Sequence, residues 1–401
     1  MTDPSASRSG WADLNTRLTR VGRPHDGTGF VNAPVERGST VLYPSMDALR
    51  EAWGGRYRGQ LSYGATGNPT QHLLEEAIAE IEGGTHCQAV VSGLAAVTTP
   101  LLAFLGAGGH CLMPDSVYGP TRRFCDTLLR RMGVETTYYP PMTDAAGITA
   151  LIRPSTQVLF TESPGSHTFE VQDIPALAEA AHAHGVKVLM DNTWGIHVFQ
   201  PFRHGVDVSI QALTKYPSGH ADLILGAITV ADDDDWHTLR DCAIQLGQCA
   251  SADDCWLTLR GLRSMGVRLA QQSRSAFEIA CWLAGRPEVA RVLHPALPDC
   301  PGHEFWRRDF TGASSLFGVE FAPSFTDAGV DAMVGSFGVF SLGESWGGYE
   351  SLALPSRSPA TRTHPTGHVG PLCRFHVGLE NPADLIADLE GGLRVLREAS
   401  A

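Results

Sequence analysis

The chain has 401 residues, 43% of them hydrophobic and 18% charged, and a formal net charge of -13. This composition excludes a disordered or fibrous protein and predicts a globular one built from two or three structural units. The acidic balance, with no cluster of Lys and Arg interleaved with aromatics, argues against a nucleic-acid partner.

Residues 1–60 are rich in Gly, Pro, Arg and Ser without periodicity and predict an N-terminal arm of the kind that wraps a neighbouring subunit. Met1–Gly10 is polar and carries no apolar signal stretch, and no window reaches the length of a membrane span. The expectation is a cytoplasmic protein without membrane association. Nine cysteines are scattered with no CxxC pair and no zinc-like His/Cys spacing, so they read as buried apolar residues, with no metal site and no disulfide.

Residues 61–255 alternate short apolar runs with amphipathic stretches, predicting an α/β domain around a mainly parallel sheet. Its strands are expected at 87–92, 110–113, 136–139, 156–162, 186–191, 206–211 and 222–230, with helices such as 119–132 and 174–184. The acidic run Asp232 to Asp235 reads as a solvated turn that caps a helix. Residues 256–401 predict a smaller C-terminal α/β domain. A long helical stretch at 253–283, broken near Gly261 to Gly266, opens it, and strands at 289–294, 315–321, 339–344 and 373–377 and a last helix at 382–397 follow.

Within this frame, Asp191 closes the apolar run Val188-Leu189-Met190 and falls at the carboxyl end of a buried strand, where open α/β sheets place ligands. Alone it suits a capped turn equally well. Lys215 follows the next strand, after Thr214, whose hydroxyl suits a phosphate, and before the tight return Gly219-His220-Ala221-Asp222. An acid and a lysine on adjacent strand ends are what pyridoxal 5'-phosphate (PLP) requires: an amine for its Schiff base and a carboxylate for its pyridinium nitrogen. Ser92-Gly93-Leu94 turns a strand into a helix start, whose free N–H groups favour a dianionic phosphate. Tyr118 opens a helix and offers a ring to a flat heteroaromatic cofactor, although a core tyrosine fits the same place. Arg374, between apolar residues of a late strand, suits a substrate carboxylate or a structural salt bridge.

Taken with Tyr63-Gly64, Gly67-Asn68-Pro69-Thr70, Glu162-Ser163-Pro164-Gly165-Ser166 and Asp191-Asn192-Thr193-Trp194, these segments resemble the Cys/Met-metabolism family of fold-type I PLP enzymes from about Thr16 to Arg397. Ser345-Trp346 and Pro120 resemble its β-lyases, which cleave cystathionine, rather than its γ-lyases and γ-synthases. The resemblance implies Lys215 as Schiff-base lysine and general base, Asp191 at the pyridine nitrogen and Tyr118 stacked on the ring. It also implies Ser92, Gly93, Leu94 and Thr214 at the phosphate, joined by Tyr63 from a neighbouring subunit, and Arg374, Ser345 and Trp346 around a sulfur-containing amino-acid substrate. A homo-oligomer, a dimer of dimers with shared sites, follows from the same likeness. So does a part in transsulfuration and methionine biosynthesis. Two related chemistries stay open: lysis of cystine or another cysteine S-conjugate, and γ-replacement or γ-elimination. One departure bears on them, because the family's arginine two residues after Tyr63 is Ala65 here, leaving Arg56 or Arg58 as possible substitutes.

Overall fold

The computed structural model describes residues 13–24, 29–357 and 361–400, so the polar stretch Met1–Gly10 lies outside it. Seven strands form the larger sheet: β1 (His86–Val90), β2 (His110–Pro114), β3 (Glu135–Tyr139), β4 (Thr156–Glu162), β5 (Lys187–Asp191), β6 (Val208–Gln211) and β7 (Gly226–Val230). Their order is β1-β7-β6-β5-β4-β2-β3, and all run parallel except β7, which is antiparallel to both its neighbours. The antiparallel step has a local effect. It closes residues 211–227 into one loop whose ends face each other, Gln211 opposite Ala227, so Lys215 is tethered from both sides.

The smaller sheet holds β8 (Val289–Leu293), β9 (Leu316–Phe321), β10 (Ser341–Leu342), β11 (Leu352–Pro355) and β12 (Leu372–His376), in the order β10-β11-β12-β9-β8. The strand expected over 339–344 shrinks to the two residues of β10. The reason is local: the Asp388 carboxylate accepts the N–H groups of Gly338, Val339 and Phe340, which are therefore not free for a ladder. The strand expected from Asp222 likewise begins only at Gly226, because Leu225 bonds the Thr214 side chain instead.

The helix Ala252–Ala284 runs unbroken for 33 residues, correcting the break expected at Gly261 to Gly266. At 1.5 Å per residue it spans roughly 50 Å. Ser251 caps it and Asp253 and Asp254 face its positive end. Gly261 is needed for close approach rather than for a bend: a Cβ there would lie 2.3 Å from Pro217 O and 2.5 Å from Ser218 O, in the loop that carries Lys215. The first half of this helix packs with Leu73, Leu74 and Ile78, and its second half packs with Val319, Phe321 and Phe375. A boundary drawn at residue 255 therefore cuts the first turn of a helix that both cores share.

In the arm, Leu18 and Val21 are buried in the larger core, whereas Phe30, Leu42 and Trp53 stand exposed. Asp232 caps its helix as expected, but Asp235 is buried and bonds Lys187 at 2.7 Å. All nine cysteines are free, and among the described residues no helix is long and apolar enough to cross a membrane.

Beneath the strand ends lies a buried carboxyl. Glu82 accepts hydrogen bonds from Gln211 Nε2 (3.0 Å), Asn192 Nδ2 (3.2 Å) and Ser209 Oγ, tying the ends of β5 and β6 together. Burial outweighs these donors and raises its pKa to about 7. The folded chain thus holds an extra proton between pH 4.5 and 7, and the cost of a buried charge is complete above pH 7 and absent below pH 4.5. Glu82→Gln should accordingly melt higher than the parent at pH 8, by about 3 kcal/mol at most, and lose that advantage by pH 4.5. Thermal unfolding at the two pH values checks the sign.

Candidate active site

The carboxyl ends of β1, β2, β4, β5 and β6 open onto a cavity of about 390 Å³, closed on the other side by β12 and the loop after β10. Ser92, Gly93, Leu94, Tyr118, Asp191, Thr214, Lys215, Ser345, Trp346 and Arg374 all line it. Tyr63 does not. It is half exposed and bridged to Thr40, outside the lining of its own chain's cavity.

Asp191 is brought in by the end of β5, Lys215 by the loop after β6 and Arg374 by the middle of β12. The Lys215 amine donates to Ser345 Oγ at 2.8 Å and sits 5.2 Å from the centre of the Trp346 ring. Burial, with the nearby Arg374 charge, lowers it to about 8 against the pull of Asp191. Arg374 donates only to backbone oxygens, Glu344 O at 2.6 Å and Ser345 O at 3.2 Å, and burial lowers it to about 10. Asp191 takes the N–H of Thr193 at 3.0 Å, and burial raises its carboxyl above the ordinary range. Among the described residues, none of these three belongs to an ion pair. Such unpaired buried charges are costly unless a ligand completes them.

These residues fit PLP. Ser92 Oγ caps the helix Gly93–Phe104 by accepting Ala95 N–H at 3.0 Å, and the N–H groups of Gly93 and Leu94 have no acceptor within the helix. They suit a phosphate. Asp191 at the cavity floor suits a protonated ring nitrogen, whose charge would bring its carboxyl back down. Thr214 is more committed than its hydroxyl suggested, because Oγ1 donates to Leu225 O at 3.2 Å and accepts Leu225 N–H at 3.0 Å. Both proposed stand-ins for the missing arginine lie outside this chain's own cavity. Arg56 bonds Tyr57 Oη at 2.6 Å and pairs with Asp241 at 3.3 Å, and Arg58 is exposed on a short helical turn outside the cavity.

Sequence reasoning passed over two cavity residues. Glu162 ends β4 directly opposite Asp191 in register, accepts Tyr118 N–H at 2.8 Å, and is pushed well above the carboxylate range, first by burial and then by Asp191. A signal for it existed, since Leu159-Phe160-Thr161-Glu162 ends on an acid just as the Asp191 strand does. His167 had none: it lies on a loop with φ +65°, bonds Ser356 Oγ at 2.8 Å, and is lowered to about 3 by burial.

Residues 15–394 match the family model for Cys/Met metabolism PLP-dependent enzymes. The chain belongs to that family. PLP is its cofactor, and its fold is the fold-type I α/β architecture of that family. It is 49% identical to a putative cystathionine β-lyase of Rhizobium johnstonii, over 95% of this chain and 96% of that one. It is 43% identical to the cystathionine β-lyase of Salmonella typhimurium, over 94% and 98% of the two chains. Among solved structures, metB from Corynebacterium glutamicum superposes with a TM-score of 0.89 at 29% identity, covering 98% of this chain and all of the other.

Proposed function

We propose that this family member is a carbon–sulfur lyase that cleaves L-cystathionine by β-elimination to L-homocysteine, pyruvate and ammonia. Its main support is the near-full-length likeness to cystathionine β-lyases, joined to a cavity in which a lysine of lowered pKa meets a buried, carboxylate-free arginine. The same reading includes a cytoplasmic homotetramer, a dimer of dimers in which Tyr63 serves the neighbouring subunit's site.

When bound, PLP supplies the electron sink that makes loss of the substrate's Cα proton feasible. Arg374, held in place by two carbonyls, takes the substrate carboxylate in a bidentate grip, and Ser345 stands beside it. Orientation by these two groups sets the Cα–H bond toward Lys215, so proton removal is favoured over decarboxylation. Lys215 Nζ, whose pKa burial lowers to about 8, takes the Cα proton and returns a proton to the departing thiolate. With the cofactor bound, Asp191 would keep its ring nitrogen protonated, Tyr118 would lie against its ring, and the N–H groups of Gly93 and Leu94 would hold its phosphate. The released aminoacrylate then hydrolyses to pyruvate and ammonia.

Ala65 favours a second reading in which the sulfur substituent is something other than homocysteine, as in cystine or another S-conjugate. A substrate panel on PLP-loaded protein separates the possibilities. Pyruvate and homocysteine from L-cystathionine are expected. Pyruvate from other conjugates alone would move the assignment to them, and 2-oxobutyrate or a new thioether would replace it with γ-chemistry.

A further inference from the structure

The three segments that carry Lys215, Ser345-Trp346 and Arg374 meet at one buried side chain. Alternate residues of a strand share a face, so His376 projects from β12 on the same side as Arg374, while Cys373 and Phe375 point into the small core. From there His376 Nε2 bonds Gly348 O at 3.2 Å, and Nδ1 bonds Ser315 Oγ at 2.9 Å. Ser315 Oγ in turn lies 2.9 Å from Tyr216 Oη, on the residue next to Lys215. Gly347 N–H also reaches Nε2, at 3.2 Å, so the ring is held by consecutive residues of that loop, and in either tautomer Ser315 relays one hydrogen bond between Nδ1 and Tyr216 Oη.

The loop reached on the other side is equally close to the lysine. Gly347 has φ +85°, and a Cβ on it would lie 2.9 Å from both Lys215 C and Tyr216 N, so Ser345 to Gly348 rests directly on the Lys215–Tyr216 peptide. Gln272 Nε2 adds a 2.6 Å bond to Gly348 O, and the Trp346 ring meets the Tyr216 ring edge-on at 5.2 Å. Arg268, from the long helix, holds Tyr216 O at 2.8 Å.

We propose that His376 is a positioning residue for the proton-transfer step. Through Ser315 and Tyr216 on one side and Gly348 on the other, it sets the register between the Lys215 amine and the substrate groups held by Ser345 and Arg374. It touches neither substrate nor cofactor. Burial keeps it neutral, lowering its pKa to about 3, so the arrangement persists across the working pH range; the charges it faces are those of Arg374 and Lys215. The proposal rests on the proposed function only through the role of Lys215 as Cα base, and not through the sulfur substrate.

Exchange of the Cα hydrogen of L-alanine in D2O isolates that step, since alanine has no leaving group. A displacement of about 1 Å costs on the order of 10²-fold in rate. His376→Ala holoenzyme should therefore exchange L-alanine about 30- to 100-fold more slowly, with half-saturation changed less than threefold because Arg374 remains. His376→Gln, which keeps a donor for Gly348 O, should recover most of the loss. A second readout needs no cofactor. With ¹³C-methylated lysines, the titration of Lys215 in His376→Ala should move upward from about 8 as the overlying loop loosens and water reaches the amine. Should His376→Ala fail to fold, Ser315→Ala breaks the same bridge with a smaller change and should slow exchange about tenfold. Exchange within twofold of the parent in the folded variant, with an unmoved Lys215 titration, overturns the proposal even if its melting temperature falls. Normal alanine exchange in the parent without cystathionine cleavage would sink the substrate assignment alone.

Discussion

Lys215→Ala should abolish cystathionine cleavage, with a loss of at least about 10⁴-fold, and remove the visible absorbance of the lysine-linked cofactor. Two functions disappear together: the covalent attachment and the base that removes the Cα proton, and general-base catalysis alone typically contributes 10²- to 10⁴-fold. No neighbour can substitute, because the chain contains only two lysines and the other, Lys187, is bonded to Asp235 at the opposite end of β5. This scarcity also makes the amine observable. In cofactor-free protein, ¹³C-methyl lysine spectra should show one resonance titrating near pH 8 and another above the ordinary lysine value. For Lys187 burial works against the shift, and the hydrogen bond and charge of Asp235 overcome it. The sign for Lys215 is set by burial: the charged form is disfavoured, so the amine is free at a pH where an exposed lysine is still protonated. A variant without Lys215 that turned over normally would remove this residue from the chemistry.

Arg374→Leu should lower kcat/KM for cystathionine by about 10²- to 10⁴-fold, most of it through KM. Hydrogen bonds to charged groups contribute roughly 1.5 to 3 kcal/mol each, and a bidentate grip uses two. The substitution also leaves the carbonyls of Glu344 and Ser345 without their donor, so some of the loss falls on kcat. Steady-state kinetics with a thioether amine that lacks the carboxylate provides the control. Parent and variant should handle it alike, and an equal loss on both substrates would show that Arg374 supports the loop rather than the carboxylate.

The strand ends that build the cavity were legible because buried parallel strands are continuous apolar runs, and an acid or lysine at the end of one stands out against them. Asp191 and Lys215 were found in that way. Glu162 carried the same mark and was read only as part of a motif. His376 and His167 act through partners far away in sequence, Ser315 at 61 residues and Ser356 at 189, and no local pattern announces such contacts. Gly261 and Gly266 were misread because glycine's low helix propensity was given more weight than the packing it permits; the Lys215 loop on one side and Asn15 on the other need that space. The failed strand over 339–344 has a similar origin, in an Asp388 carboxylate some 50 residues away that captures the backbone donors.

The unbroken helix Ala252–Ala284 has a consequence for engineering. Exchanging the C-terminal unit is the obvious way to graft one substrate preference onto another scaffold. Here no clean seam exists. A junction before the helix imports the lid of the larger core with the graft, a junction after it strands Ala276, Ile279 and Leu283 against foreign neighbours, and a junction inside it must keep Arg268 and Gly261 matched to the recipient's lysine loop. Chimeras that preserve this helix and redesign both of its packing faces together are the ones expected to fold.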